Sequence, residues 1–361
     1  MTRTQRRMFG LGLAAAVIGG LASAAGWLMD PASFFPAYLT AWLVGLGFGL
    51  GGLTLRLVDE SLFAHWGHPI RPMLNASSAT LPVLAVAFVP MVLWPDGFFA
   101  WSRPEIVAES DLLQKKIHYL NDLFFFARAA GYFVLWVVLA LLVGGRMRRR
   151  GSKTLGAFGL IAVLLSGTFA AVDWTMSIEP EWFSTGFPLL FLTGCCLQAF
   201  ALTMLTLGPG RPLDKETRNS LGKLLLTLVM LWTYLQLTHY IIIWSGNIST
   251  DAFWYQKRST GGWQWLALAM LVFASILPFL ALLSRFGRQS ARVLPAVAAL
   301  VLAMRAVEVS WIVVPAFDGD VLPVVAIAAA GLLAICGLQC AAFAWDLGRT
   351  GSTRAKEADH G

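Results

Sequence analysis

The chain has 361 residues, 57% of them hydrophobic and only 13% charged, with a mean hydropathy of +0.68. That composition excludes a soluble globular domain. The net charge of +7 sits mostly in short connections between apolar stretches, where it reports membrane topology and not a nucleic-acid footprint.

A hydrocarbon core of about 30 Å needs roughly 20 apolar residues per helix. Ten stretches meet that length: Met8–Leu28, Ala37–Val58, Ser77–Trp94, Leu123–Gly144, Leu155–Trp174, Ser184–Leu207, Leu221–Trp244, Trp263–Ser284, Val293–Val314 and Leu322–Ala344. They predict an all-α integral membrane protein forming one polytopic domain, with a polar tail over 345–361. The opening Gln5-Arg6-Arg7-Met8-Phe9, with Ala22-Ser23-Ala24, looks like a twin-arginine leader and its cleavage site. Removing it would leave nine spans and break the charge pattern, so the segment is read as the first helix.

Lysines and arginines alternate from side to side. The N-terminus, the even-numbered connections and the tail hold 19 of the 27, including Arg146, Arg148, Arg149 and Arg150; the odd-numbered connections hold five. By the positive-inside rule both termini are cytoplasmic. Within the second span, Gly45-x-Gly47-x-Gly49-x-Gly51-Gly52 lies in mid-helix and not after a strand, which points to close helix packing and not to a nucleotide loop.

Cys195, Cys196, Cys336 and Cys340 all fall inside spans and form no metal or haem-attachment spacing. Of the five histidines, only His239 is deep in a span, so the chain offers no bis-histidine haem site and no evident redox centre of its own.

Ionisable residues inside a membrane cost roughly 2.5–3.5 kcal/mol each on insertion scales, which makes them functional candidates. Asp173, Arg128, His239, Arg305 and Glu308 all fall in the predicted periplasmic half. Asp173, His239, Arg305 and Glu308 are the candidate proton-handling residues. The plainer readings are a self-neutralising Arg305–Glu308 pair, a core histidine bonded within the stripe of Trp232 and Gln236, an interfacial Asp173, and an Arg128 that snorkels to the headgroups. Asp59 and Glu60 read as a solvated helix boundary. Trp182, Trp244, Asn247 and Tyr234 are the candidate lining of a pocket for a ring-headed lipid such as a quinol.

At these residues a family resemblance emerges. Asp173-Trp-Thr-Met-Ser-Ile-Glu-Pro-Glu-Trp-Phe-Ser-Thr185 resembles a characteristic run of the ActF-type, NrfD/polysulfide-reductase-like membrane subunits of bacterial alternative complex III, a quinol:cytochrome c (or other acceptor) oxidoreductase. Trp232-Thr-Tyr234, Ile243-Trp-Ser-Gly-Asn247, Trp254-Tyr255, Pro278 through Arg285 and Trp311 through Pro315 resemble the same family, over about residues 40–345. His239, Arg305, Glu308 and the Trp182-Phe183 pair depart from the family pattern.

The resemblance implies two four-helix bundles with two flanking helices, placed in the bacterial inner membrane. It implies a paralogous ten-helix quinol-binding subunit, a periplasmic iron–sulfur subunit and haem c subunits as partners. Quinol or menaquinol would be the ligand, with haem c and iron–sulfur clusters only in the partners and no cofactor covalently bound here. A purely structural anchor in the same complex, or a stand-alone secondary transporter, are the alternatives.

Overall fold

In the computed structural model, residues 1–62, 67–144, 152–207 and 213–358 are described, with side chains through 349. His65, the Arg146–Arg150 run, Arg211 and His360 lie outside the described residues.

Ten helical spans are long and apolar enough to cross a membrane, and no strand occurs among the described residues. The chain is an all-α, multi-pass membrane protein. α1 (Arg3–Met29) leads through Asp30 directly into α2 (Pro31–Leu62). The Asp30 carboxylate caps this junction by accepting from the Ser33 amide at 3.2 Å, and the Ser33 bonds hold its pKa below the usual carboxylate range.

The third span differs from the single helix expected. It is three short pieces, α3 (Arg71–Ser78), α4 (Leu81–Val86) and α5 (Val89–Leu93). Pro82 and Pro90 open α4 and α5, where a missing backbone N–H costs least. The connection that follows carries α6 (Pro95–Phe98), α7 (Pro104–Glu109) and α8 (Asp111–Lys116). Then come α9 (Asp122–Val143), α10 (Lys153–Trp174), α11 (Phe187–Leu207) and α12 (Lys215–Gly246). α12 ends on Asn247, which adopts a left-handed conformation (φ 47°).

α13 (Ser249–Lys257) lies in the next connection. The eighth span begins as α14 (Trp263–Ala269), widens into a π-helical turn over Met270–Ile276 and finishes as α15 (Leu277–Leu283). Pro278 accounts for the widening: it lacks an N–H, and its ring crowds the carbonyl one turn back. α16 (Arg285–Gln289), α17 (Val293–Val313) and α18 (Val321–Ala358) complete the chain, α18 running on through most of the polar tail.

Packing follows residue size. α2 and α11 are the two most enclosed spans and pack on each other at the centre. α2, α3–α5, α9 and α10 form one four-helix group; α11, α12, α14–α15 and α17 form the other; α1 and α18 pair on the outside, against α2. The glycine run does pack helices: a Cβ at Gly51 would collide with the carbonyl of Cys195 on α11. Gly19 likewise lies against the backbone of α18 around Ala330 and Ala334.

Asp59 and Glu60 are not a solvated boundary. Both are buried, and Arg56 reaches Asp59 at 3.2 Å, Glu60 at 2.6 Å and Asn75 at 3.1 Å, while Arg71 meets Asp59 at 2.6 Å. Two carboxylates and two guanidiniums neutralise one another, which is why the cluster can leave water.

Candidate functional site

Apart from the Arg56–Asp59–Glu60 cluster, the ionisable residues of the spans gather in two places near the end of the bundle that carries α6–α8 and α13. The first is in the α2–α10 group. Asp173, fully buried near the end of α10, accepts two parallel bonds from Arg128 on α9, at 2.8 and 2.9 Å, and a third from the Tyr132 hydroxyl at 2.9 Å. Arg128 also donates to the Tyr119 carbonyl at 2.9 Å and lies 3.9 Å from the centre of the Tyr119 ring. Arg128 therefore does not snorkel; Asp173 turns it inward. Trp42, Phe88, Phe133 and Trp136 pack around Trp174 beneath this knot. Fully buried and holding three bonds from α9, the Asp173 carboxylate ties α9 to α10.

The second place is in the α11–α17 group and surrounds a cavity of about 340 Å³. α12 contributes Trp232, Gln236 and Tyr240, the connection after α13 contributes Arg258 and Ser259, and the π-helical turn contributes Met270, Leu271 and Ser275. A π turn swings the side chains that follow it out of α-helical register, and here it presents the Ser275 hydroxyl to the Thr233 hydroxyl at 2.9 Å. Leu237, Ala267, Leu268 and Trp311 give the remainder an apolar surface.

Arg258 braces the cavity. Its guanidinium donates to the Trp311, Trp254 and Ile312 carbonyls at 3.0, 3.0 and 2.6 Å and to Glu179 at 2.7 Å, and it stacks 3.9 Å from the Trp254 ring. Burial pulls this guanidinium down from its ordinary range, and Glu179 opposes the shift. With every nitrogen engaged, Arg258 is a strut and not an anion receptor. The groups left for a ligand are neutral: the Gln236 amide, whose Oε1 has no hydrogen-bond partner, and the hydroxyls of Tyr240 and Tyr255.

Tyr255 leads away from the cavity. Its hydroxyl bonds His239 Nδ1 at 2.7 Å, and His239 Nε2 bonds the Ser184 hydroxyl at 2.9 Å. A neutral imidazole has one donor and one acceptor nitrogen, so in either tautomer the ring bridges the two hydroxyls, donating to one and accepting from the other. Burial pushes the Tyr255 phenol above its usual range, keeping it a neutral donor.

Arg305 and Glu308 form a buried ion pair on α17, and the Trp232 indole donates to the other Glu308 oxygen at 3.1 Å. Through Trp232 the pair touches the cavity wall. The Arg305 Nε is without a partner.

The sequence candidates thus divide. His239, and Glu308 through Trp232, stand beside the cavity; Asp173 belongs to the separate knot on α9 and α10. The four proton-handling candidates do not form one line. The four pocket candidates do not form one pocket either. Trp182 is buried and stacks on Trp254 with ring centres 4.5 Å apart, Asn247 caps α12, and Trp244 and Tyr234 are 70% and 63% exposed on the outer face. Tyr255 and Gln236 were noted in the sequence but not ranked as site residues, and Arg258 and Ser275 were not singled out. Trp254 on α13 and Arg258 just past its end stand four apart, the spacing at which a cation covers an aromatic ring, and that signal was present in the sequence.

The sequence matches no known protein-family profile and no curated protein.

Proposed function

We propose that this chain is a membrane subunit of a quinol-oxidising oxidoreductase of the alternative complex III type. It would sit in the bacterial inner membrane with both termini in the cytoplasm. The observation that carries the reading is the junction of a largely apolar cavity, whose one cation is fully engaged, with the Tyr255–His239–Ser184 chain.

A quinol has a flat ring, two hydroxyls and an apolar tail. It matches a site with an aromatic and aliphatic lining, neutral hydrogen-bonding groups and no free charge. Its oxidation releases two protons and two electrons. The Tyr255 hydroxyl would accept a quinol proton as it gives its own to His239. His239 would release a proton through the Ser184 hydroxyl to water at the end of the bundle that the charge pattern assigns to the periplasm, and the second proton would leave by the same relay once it has reset. The electrons would pass to centres in partner subunits, namely a periplasmic iron–sulfur subunit and haem c subunits, alongside a paralogous ten-helix subunit.

A second reading, a structural anchor within the same complex, draws on the Arg128–Asp173 and Arg305–Glu308 pairs, which neutralise their own charges inside the bundle. The test is quinol oxidation by the intact complex carrying Tyr255→Phe or His239→Gln in this chain. The proposed reading expects a fall on the order of 100-fold, the lower end of what a positioned acid or base contributes. Unchanged turnover favours the anchor.

A further inference from the structure

Away from the cavity described above, α1, α2, α3, α11 and α18 enclose a smaller one of about 150 Å³. Met8, Cys336 and Cys340 all line it, and all three are partly exposed, whereas Cys195 and Cys196 are buried. Phe48, Leu202 and Phe343 give the cavity apolar walls.

Cys336 and Cys340 match no loop motif for a metal. On a helix, however, a step of four residues sets two side chains on one face, with Cβ atoms about 5–6 Å apart. Both thiols stand on α18 and reach the same cavity. α1 brings a third sulfur alongside. The Cys340 thiol lies 3.9 Å from the Met8 carbonyl, and a Cβ at Gly12 would collide with the Gly337 carbonyl and the Ala341 amide. Backbone contact thus fixes α1 against α18 beside the two cysteines.

The hydroxyl protons around this cavity are committed. Ser77, Thr80 and Thr206 donate to the Phe48, Ser77 and Thr203 carbonyls at 2.6, 2.7 and 3.0 Å. Gln339 Nε2 donates to the Gly45 carbonyl at 3.0 Å and to the Thr80 hydroxyl at 3.1 Å. Gln339 is 4% exposed and its Oε1 has no hydrogen-bond partner, so this wall keeps an unmet lone pair. No histidine or carboxylate lines the cavity, which leaves zinc, magnesium and calcium without their usual ligands. A small, positive guest that prefers sulfur fits what remains.

We propose that this cavity binds a soft monovalent metal ion, Cu(I), between the Cys336 and Cys340 sulfurs and the Met8 thioether. Thiolate and thioether ligands select Cu(I) over harder ions. Binding breaks one S–H bond, forms the metal–sulfur bonds and releases the proton to water. One thiolate then cancels the charge of the ion, so the site stays neutral inside the bilayer. No electron is transferred. The site stands whatever the larger cavity holds.

The test uses the full chain in nanodiscs under reducing, oxygen-free conditions. Cu(I) is supplied as its bicinchoninate complex, whose colour fades as the protein takes the metal. The wild type is expected to take up one ion per chain. Cys336→Ala and Cys340→Ala should each weaken uptake at least about tenfold, since losing even an outer-shell partner of a metal costs that much. Met8→Leu, which keeps the volume and removes the thioether, should weaken it less. Cys196→Ala should bind as the wild type does. No transfer of Cu(I) to the wild type, equal uptake by the wild type and both α18 variants, or the same loss from Cys196→Ala would overturn the proposal.

Discussion

Arg128 and Asp173 hold α9 to α10 through two parallel hydrogen bonds of 2.8 and 2.9 Å, inside a shell of aromatic rings. Removing one partner strands the other charge in a place water does not reach. Asp173→Asn or Arg128→Leu should each destabilise the protein by about 3–5 kcal/mol. Arg128→Lys should rescue little, because an ammonium cannot reproduce the two-pronged geometry. The pair Arg128→Met with Asp173→Leu, which removes both charges, should recover much of the loss. Thermal unfolding in mild detergent measures all four; equal midpoints for wild type and Asp173→Asn would show that the pair carries no stability.

The approach of α2 to α11 is set by backbone and not by flexible side chains. A Cβ on Gly51 points into the Cys195 carbonyl, while one on Gly10 meets nothing. Gly51→Ala should therefore cost about 1–3 kcal/mol as overpacking, and Gly10→Ala should be neutral or slightly stabilising. The same unfolding assay separates them, and a neutral Gly51→Ala would mean that α2 and α11 are further apart than described.

Tyr255 makes a pH prediction. Burial disfavours its phenolate, so the folded chain holds the proton more tightly than the unfolded chain does. A raised pKa gives stability that is complete below the ordinary tyrosine value of about 10 and is lost as pH rises through the folded value. The phenolate absorbance of wild type minus Tyr255→Phe should show Tyr255 still neutral at about pH 10. Half-ionisation at that pH would contradict the buried bond to His239.

Much of the architecture was legible in the sequence because a bilayer imposes simple rules. Ten apolar lengths became ten spans, and the Gly45–Gly52 run became a packing face, since small side chains are what let two backbones meet. What was not legible depends on distant partners. Arg128 is 45 residues from Asp173 in sequence, and a cation near a helix end reads as snorkelling until a buried carboxylate is seen beside it. Asp59 and Glu60 read as solvated for the same reason, with Arg71 supplied by the next helix. The π turn was hidden because Pro278 marks a disturbance without saying which way the helix relaxes. The candidate pocket was misplaced because aromatic residues were weighed by type: Trp244 and Tyr234 face outward, while Tyr255 and the unassuming Gln236 and Ser275 face the cavity.

The central claim is that the cavity between α12, the π turn and α17 holds a neutral ring-headed lipid. The most direct measurement is equilibrium binding of a short-tailed quinol analogue to the full chain in nanodiscs, for wild type and for Leu271→Trp, which fills the cavity without touching the ion pairs. The account predicts saturable binding by the wild type, weakened at least about tenfold by the added ring, since an indole occupies space that a ligand of this size needs. Binding of equal strength in both proteins, with the variant folded as the wild type is, would place the ligand elsewhere and contradict the account.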